Sequence, residues 1–176
     1  MRPDSLRESA KHRVSWITRR LALGAFATEA RAQYLLAHGV THILNVGEGA
    51  SVIRPQPGGF TQVIDYPIAD LARIPDAAAL ECLNILHEML QTPAGKVYVH
   101  CIAGQNRSPT ILWLFLIACG LTPNEAKHLI EDRTPDAVPG HSLLIDEALV
   151  QLVQAHGATH FLPLHDPQIL VAELCG

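Results

Sequence analysis

Cys101 and Arg107 stand six residues apart in the segment HCIAGQNRS (100–108), separated by Ile102, Ala103, Gly104, Gln105 and Asn106. A loop of mostly small residues lets successive backbone N–H groups turn toward one point, which makes a nest for an anion. The apolar run after it is helical in character, and a helix starting near Ser108 aims its free N–H groups and its positive dipole end at the same point. Arg107 adds a planar fork able to grip two oxygens of a phosphate-like dianion, which lysine cannot do. The same field favours a thiolate as it favours any anion, so Cys101 is expected to be a nucleophile at neutral pH. Cys82 and Cys119 read instead as ordinary buried cysteines.

These residues need a strand and a helix to hold them. KVYVH reads as a short buried strand ending at His100, and Ser108 to Ala118 as an almost wholly apolar helix closed by Gly120. Upstream, VSWIT and LALGAF read as strands, Thr28 as the N-cap of a helix to His38 closed by Gly39, VTHILNV as a buried strand and FTQVIDYPI as another apolar strand. Asp76 is placed as the cap of a helix carrying Leu80, Leu83, Leu86, Met89 and Leu90 at helical spacing. TPNE (122–125) is a capping box with proline at its first helical position, and a last helix is expected from Ser142 to His156, stopped by Gly157. Strands alternating with helices predict an α/β fold, a central mostly parallel sheet flanked by helices, with Cys101 at the carboxyl end of a strand where such folds place ligands.

The wording HCIAGQNRS matches the His-Cys-x5-Arg-Ser/Thr signature, and the chain resembles the cysteine-dependent protein tyrosine phosphatases in their compact, atypical dual-specificity branch. The order of GVTHILNV, YPIAD, KVYVHC and the apolar helix is similar to that family's over roughly residues 15–155. The resemblance implies a dual-specificity phosphatase fold and a phosphatase working through a cysteinyl-phosphate intermediate. It implies a phosphate-binding loop (a P-loop) of Ile102, Ala103, Gly104, Gln105, Asn106 and Arg107, with Ser108 assisting departure of the Cys101 thiolate and His100 orienting the loop backbone. A general acid is also required to protonate the leaving oxygen. Of Asp65, Asp70 and Asp76, the first lies in a strand and the third is better used as a helix cap. Asp70, in the connection IADLARIP, lies 31 residues before Cys101, as the acid does in similar phosphatases.

Composition sets the outer bounds. With 176 residues, 48% of them hydrophobic, the chain suits one globular domain. The expected division is a basic arm (1–14), a catalytic domain (15–157) and a tail (158–176). The net charge is −4, yet residues 1–31 hold 7 basic and 3 acidic side chains. That balance gives no general basic field, so no nucleic acid partner is expected. Four cysteines without a Cys-x2-Cys pair point to a reducing compartment, the cytoplasm. No apolar stretch approaches a membrane span, and the twin arginines of TRRLALGAFATEARA head too short an apolar run for an export signal. His156, His160 and His165 show no coordinating pattern, and neither metal nor cofactor is expected.

The expected partner is a phosphorylated protein, on tyrosine, serine or threonine, with phosphate or sulfate as simple occupants of the loop. Three alternatives stay open: an RNA 5′-triphosphatase, because Asn106 before the arginine occurs in similar capping-type enzymes; a phosphoinositide phosphatase, although Ile102 and Gln105 stand where such enzymes place lysines; and a phosphate-binding module of little activity. Whether Cys82 protects Cys101 through a disulfide is left open by the sequence.

Overall fold

The computed structural model describes Arg7 and residues 12–161. Most of the expected basic arm and most of the expected tail, with His165 and Cys175, therefore lie outside the described residues. Five strands, β1 (Val14–Trp16), β2 (Leu21–Gly24), β3 (His42–Asn45), β4 (Gln62–Asp65) and β5 (Val97–His100), form one sheet in the order β1-β2-β5-β3-β4. Only the β1–β2 pair is antiparallel, so the sheet is mostly parallel with β5 at its centre. The helices are α1 (Glu29–Ala37), α2 (Asp76–Gln91), α3 (Arg107–Ala118), α4 (Pro123–Glu131) and α5 (Glu147–His160).

The sheet is buried on both faces because its inner strands are apolar at consecutive positions. Side chains alternate across it: Leu21, Leu23, Leu44, Val97 and Val99 join the core beneath α2 to α5, while Ala22, Ile43 and Tyr98 join a smaller core beneath α1. Helix α3 is buried along all twelve residues, which is why its sequence has no polar face. It fills the space between the sheet and α2, α4 and α5.

Local signals explain most boundaries. Thr28 caps α1 by accepting from Arg31 N–H, and Gly39 follows it with φ of 79°. Thr122 and Glu125 cap α4 reciprocally, with Pro123 at its start. Three expectations need correction. Asp76 does not cap α2: Pro75 holds that position, and the Asp76 carboxylate pairs with Arg73 at 2.9 Å. Strand β4, read as an apolar strand, is a half-exposed edge strand, since it pairs with β3 alone. The last helix runs over Glu147–His160, capped by Asp146, so it does not begin at Ser142 and Gly157 lies inside it rather than stopping it. The twin arginines belong to the β1–β2 connection, where the Arg20 guanidinium donates to the carbonyls of Leu90, Thr92 and Gly95 behind α2.

Gly157 sits in a helix because α3 passes against it: a Cβ there would lie 1.9 Å from the Ala118 carbonyl oxygen. The neighbour is backbone and cannot rotate away. Gly157→Ala is therefore expected to destabilise by about 2 kcal/mol despite alanine's better helix propensity, lowering the midpoint of thermal unfolding by about 6 °C. An unchanged or raised midpoint in calorimetry would contradict this packing.

Candidate active site

Strand register sets the floor of the site. Gly24 pairs with His100, His100 with Asn45, and Asn45 with Asp65, so these four residues form one row across the carboxyl edge of the sheet. Cys101 and its loop rise from the middle of that row, and the chain then enters α3 at Arg107.

Four carbonyls of the loop are turned outward onto donors. Cys101 O accepts from His100 Nδ1 (3.1 Å), Ile102 O from Phe26 N–H (3.0 Å), Ala103 O from the Arg13 guanidinium (3.4 Å) and Gln105 O from Val138 N–H (2.8 Å). A peptide N–H points opposite to the carbonyl in its plane, so the N–H groups of Ile102, Ala103, Gly104 and Asn106 are directed inward. Gly104 N–H confirms the geometry, donating to Cys101 Sγ at 3.3 Å. Gly104 has φ of 77°, and a Cβ on it would lie 2.5 Å from the Gly24 backbone, so close approach and conformation both demand glycine.

Ser108 Oγ lies 3.3 Å from Cys101 Sγ, placed to donate to a thiolate. Cys101 is 2% exposed, and its sulfur is met by a backbone N–H and by the Ser108 hydroxyl at the start of α3. The other described cysteines differ: burial pushes the thiols of Cys82 and Cys119 up to about 12, which keeps them protonated and inert.

Arg107 does more than the sequence implies. It is buried, and it donates from Nη1 to Ile68 O at 3.1 Å while Nη2 stands 3.7 Å from Asp70 Oδ2. The arginine is thus clipped to the connection that carries Asp70. Its Nε–H is buried without a protein partner, a free donor beside the socket. Asp70 is exposed and accepts from Leu71 N–H. The other two aspartates are elsewhere: Asp76 is engaged by Arg73, and Asp65 accepts from Asn45 and Ser51. Burial acts to raise the Asp65 carboxyl, but the hydrogen bonds from Ser51 and Asn45, with Arg54 nearby, outweigh it and hold the group below the usual carboxylate range. A firmly ionised group cannot donate a proton.

The Asn45–Ser51–Asp65 network is the part that sequence reading missed. Asn45 Oδ1 accepts from Gly47 N–H and its amide donates to Gly49 O (2.6 Å) and Asp65 (2.9 Å), folding residues 47–51 under the socket. A Cβ on Gly47 would stand 3.2 Å from the Cys101 backbone. The only sequence signal was a pair of glycines among polar residues after a buried strand.

His100 is fully buried between Phe26 and Tyr98, its Nδ1–H donating to Cys101 O and its Nε2 without a partner. Burial pushes its pKa down to about 4, so the ring is neutral in the folded protein. Because the unfolded chain takes up this proton near 6.5, stability is fully present above that pH and is lost as pH falls toward 4, by on the order of 3 kcal/mol. Urea unfolding at pH 7 and pH 4.5 should show a smaller pH dependence in His100→Asn than in the parent protein; equal dependence would exclude this origin.

His156 and His160 stack on each other in α5, with His156 against Asn84, and no group of three His, Cys, Asp or Glu residues suited to a metal occurs among the described residues. No described helix is long and apolar enough to cross a membrane.

Comparison with known proteins agrees with this geometry. The family model for the dual specificity phosphatase catalytic domain matches residues 21–148. Protein tyrosine phosphatase type IVA 2 of Mus musculus is 31% identical over 111 residues, covering 62% of this chain and 66% of that protein. Dual specificity protein phosphatase 1 of Arabidopsis thaliana is 33% identical over 131 residues, covering 71% and 62%. The chain thus spans just under two thirds of these relatives' length. The crystal structure of PTPMT1 in complex with PI(5)P superposes with a TM-score of 0.67 at 20% identity, covering 84% of this chain and 98% of that one. That of DUSP15 superposes with a TM-score of 0.64 at 22% identity, covering 93% and 97%. A mostly parallel sheet carrying this loop, joined to a family match over most of the chain, places the protein in the dual specificity phosphatase catalytic-domain family.

Proposed function

We propose that the protein is a phosphatase that hydrolyses phosphomonoesters of phosphoproteins through a cysteinyl-phosphate intermediate. The observation that carries the reading is the inward-facing N–H cradle around Cys101 Sγ, with Arg107 clipped to the connection that bears Asp70. In the first step the Cys101 thiolate forms a bond to phosphorus as the ester oxygen leaves, and Asp70 gives that oxygen its proton. The N–H groups of Ile102 to Asn106 and the Arg107 guanidinium hold the three equatorial oxygens, where charge is stabilised most. In the second step Asp70, now a carboxylate, takes a proton from the attacking water, the sulfur–phosphorus bond breaks, and Ser108 Oγ–H donates to the departing thiolate. His100 holds the Cys101 carbonyl outward. A reducing compartment such as the cytoplasm keeps the thiol available.

The rim supports a polypeptide substrate. The exposed large apolar side chains among the described residues are Val52, Leu71, Ile102, Val138 and Leu143. All stand on connections at the socket's end of the sheet: Ile102 in the loop, Leu71 beside Asp70, Val138 bonded to Gln105, Leu143 next to Leu144, which accepts from Ile74, and Val52 next to Ser51, which bonds Asp65. An apolar rim suits the ring or side chains flanking a phosphorylated residue better than a polyanionic head group, for which additional cations are needed. The bound PI(5)P in the PTPMT1 structure makes phosphoinositides the second reading. A panel of phosphopeptides, soluble phosphoinositides and triphosphate RNA separates them. The highest kcat/KM is expected on phosphopeptides; a higher value on either other class would overturn this assignment.

A further inference from the structure

The connection from β4 to α2 is fixed at both ends. Upstream, Tyr66 N–H donates to Asn45 O (2.8 Å) and Ile68 N–H to Val46 O (3.1 Å), and Arg107 grips Ile68 O. Downstream, Ile74 N–H donates to Leu144 O at 2.8 Å. Between them Ala69, Asp70, Leu71 and Ala72 are all exposed, and Leu71 has φ of 54°, a left-handed conformation that is unfavourable in a non-glycine residue. Such a turn holds its shape only if its ends are held.

Arg73 closes that turn with every nitrogen of its guanidinium. Nε and Nη2 fork onto Asp146 at 2.5 and 3.0 Å, and Nη1 reaches Asp76 Oδ1 at 2.9 Å and Ile74 O at 3.0 Å. Both acids start helices: Asp146 caps α5, accepting from Leu149 N–H at 2.8 Å, and Asp76 is the first residue of α2. The arginine therefore ties the acid-bearing turn to two helices of the core. Exposed ion pairs contribute little stability, but a bidentate planar fork fixes geometry. Mutual hydrogen bonding holds Arg73 above and Asp146 below their ordinary values, in keeping with a formed pair.

We propose that Arg73 is a positioning residue for proton transfer: by gripping Asp146 and Asp76 it keeps the turn at residues 69–72 closed over the socket, so that Asp70 reaches the leaving oxygen. The inference rests on Asp70 being the general acid. The test measures kcat and kcat/KM of the full chain on aryl phosphates whose leaving groups run from dinitrophenol to phenol, for Arg73→Met, Asp146→Asn, Asp70→Ala and Asp70→Ala/Arg73→Met. Asparagine preserves the α5 cap, so Asp146→Asn removes the ion pair while sparing the helix.

Arg73→Met and Asp146→Asn are expected to lose about tenfold in kcat on phenyl phosphate and less than about twofold on the dinitrophenyl ester, because only a poor leaving group needs a well-placed acid. In the double variant the Arg73 change should add nothing on phenyl phosphate beyond the loss in Asp70→Ala. A loss equal across all leaving groups, no loss, or an additive double variant would each overturn the proposal. Should Asp70→Ala itself show no dependence on the leaving group, the acid assignment fails first and the role of Arg73 with it.

Discussion

Cys101→Ser is expected to leave a folded protein without turnover. Serine is nearly isosteric, and its hydroxyl can keep the bond from Gly104 N–H and the neighbour Ser108. The outward carbonyl bonds that shape the loop are backbone contacts or belong to other residues, so the cradle and Arg107 remain. What is lost is the nucleophile, since an alkoxide is far less accessible than a thiolate at neutral pH. Hydrolysis of an aryl phosphate should fall by about 10⁴-fold or more, while inorganic phosphate still raises the thermal midpoint as it does in the parent protein. Activity near the parent level would remove Cys101 from the chemistry. Loss of both activity and phosphate protection would mean that the sulfur's contacts hold the loop together.

Asp70→Ala is the second large effect. On a substrate with a poor leaving group, kcat should fall by about 10²- to 10⁴-fold with substrate binding kept, because the acid acts on the leaving oxygen and not on the phosphate. The basic limb of the pH–rate profile should disappear, since that limb reports a group that must be protonated. The parallel variants discriminate. Asp76→Ala breaks one contact of Arg73, and Asp65→Ala disturbs the Asn45–Ser51 network, so neither should flatten that limb. If Asp76→Ala abolishes it and Asp70→Ala does not, the acid has been misplaced.

The geometry of the socket was legible because its parts are contiguous: the Cys101 thiol, the loop, Arg107 and the Ser108 hydroxyl all fall between His100 and Ser108. The capping signals at Thr28 and Thr122 were legible for the same reason, being settled within four residues. The failures at Gly157 and at residues 142–145 came from partners distant in the chain, and that at Asp76 from Arg73, three residues before it. Gly157 resembles a helix stop until α3 is seen to need its missing side chain, and Asp76 resembles a cap until Arg73 claims it. Residues 142–145 could extend a helix, but Leu144 O is taken by Ile74 N–H and Asp146 begins α5 instead. The clip from Arg107 to Ile68 spans 39 residues, and the Asn45–Asp65 bond spans 20; no local pattern reports either. Choosing Asp70 over its neighbours rested on family spacing, and the geometry adds a physical reason: of the three aspartates, it alone faces Arg107.

The central claim is that a phosphoryl group passes through Cys101. Rapid acid quenching during turnover of a phosphorylated substrate, followed by peptide mapping in a mass spectrometer, tests it most directly. The account predicts one phosphoryl group on the peptide containing Cys101, its level raised in Asp70→Ala on a dinitrophenyl ester, whose leaving group needs no acid so that hydrolysis of the intermediate is the slowed step, and none on Cys82 or Cys119. Turnover with no phosphoryl group on Cys101, or with the label on another residue, would contradict it.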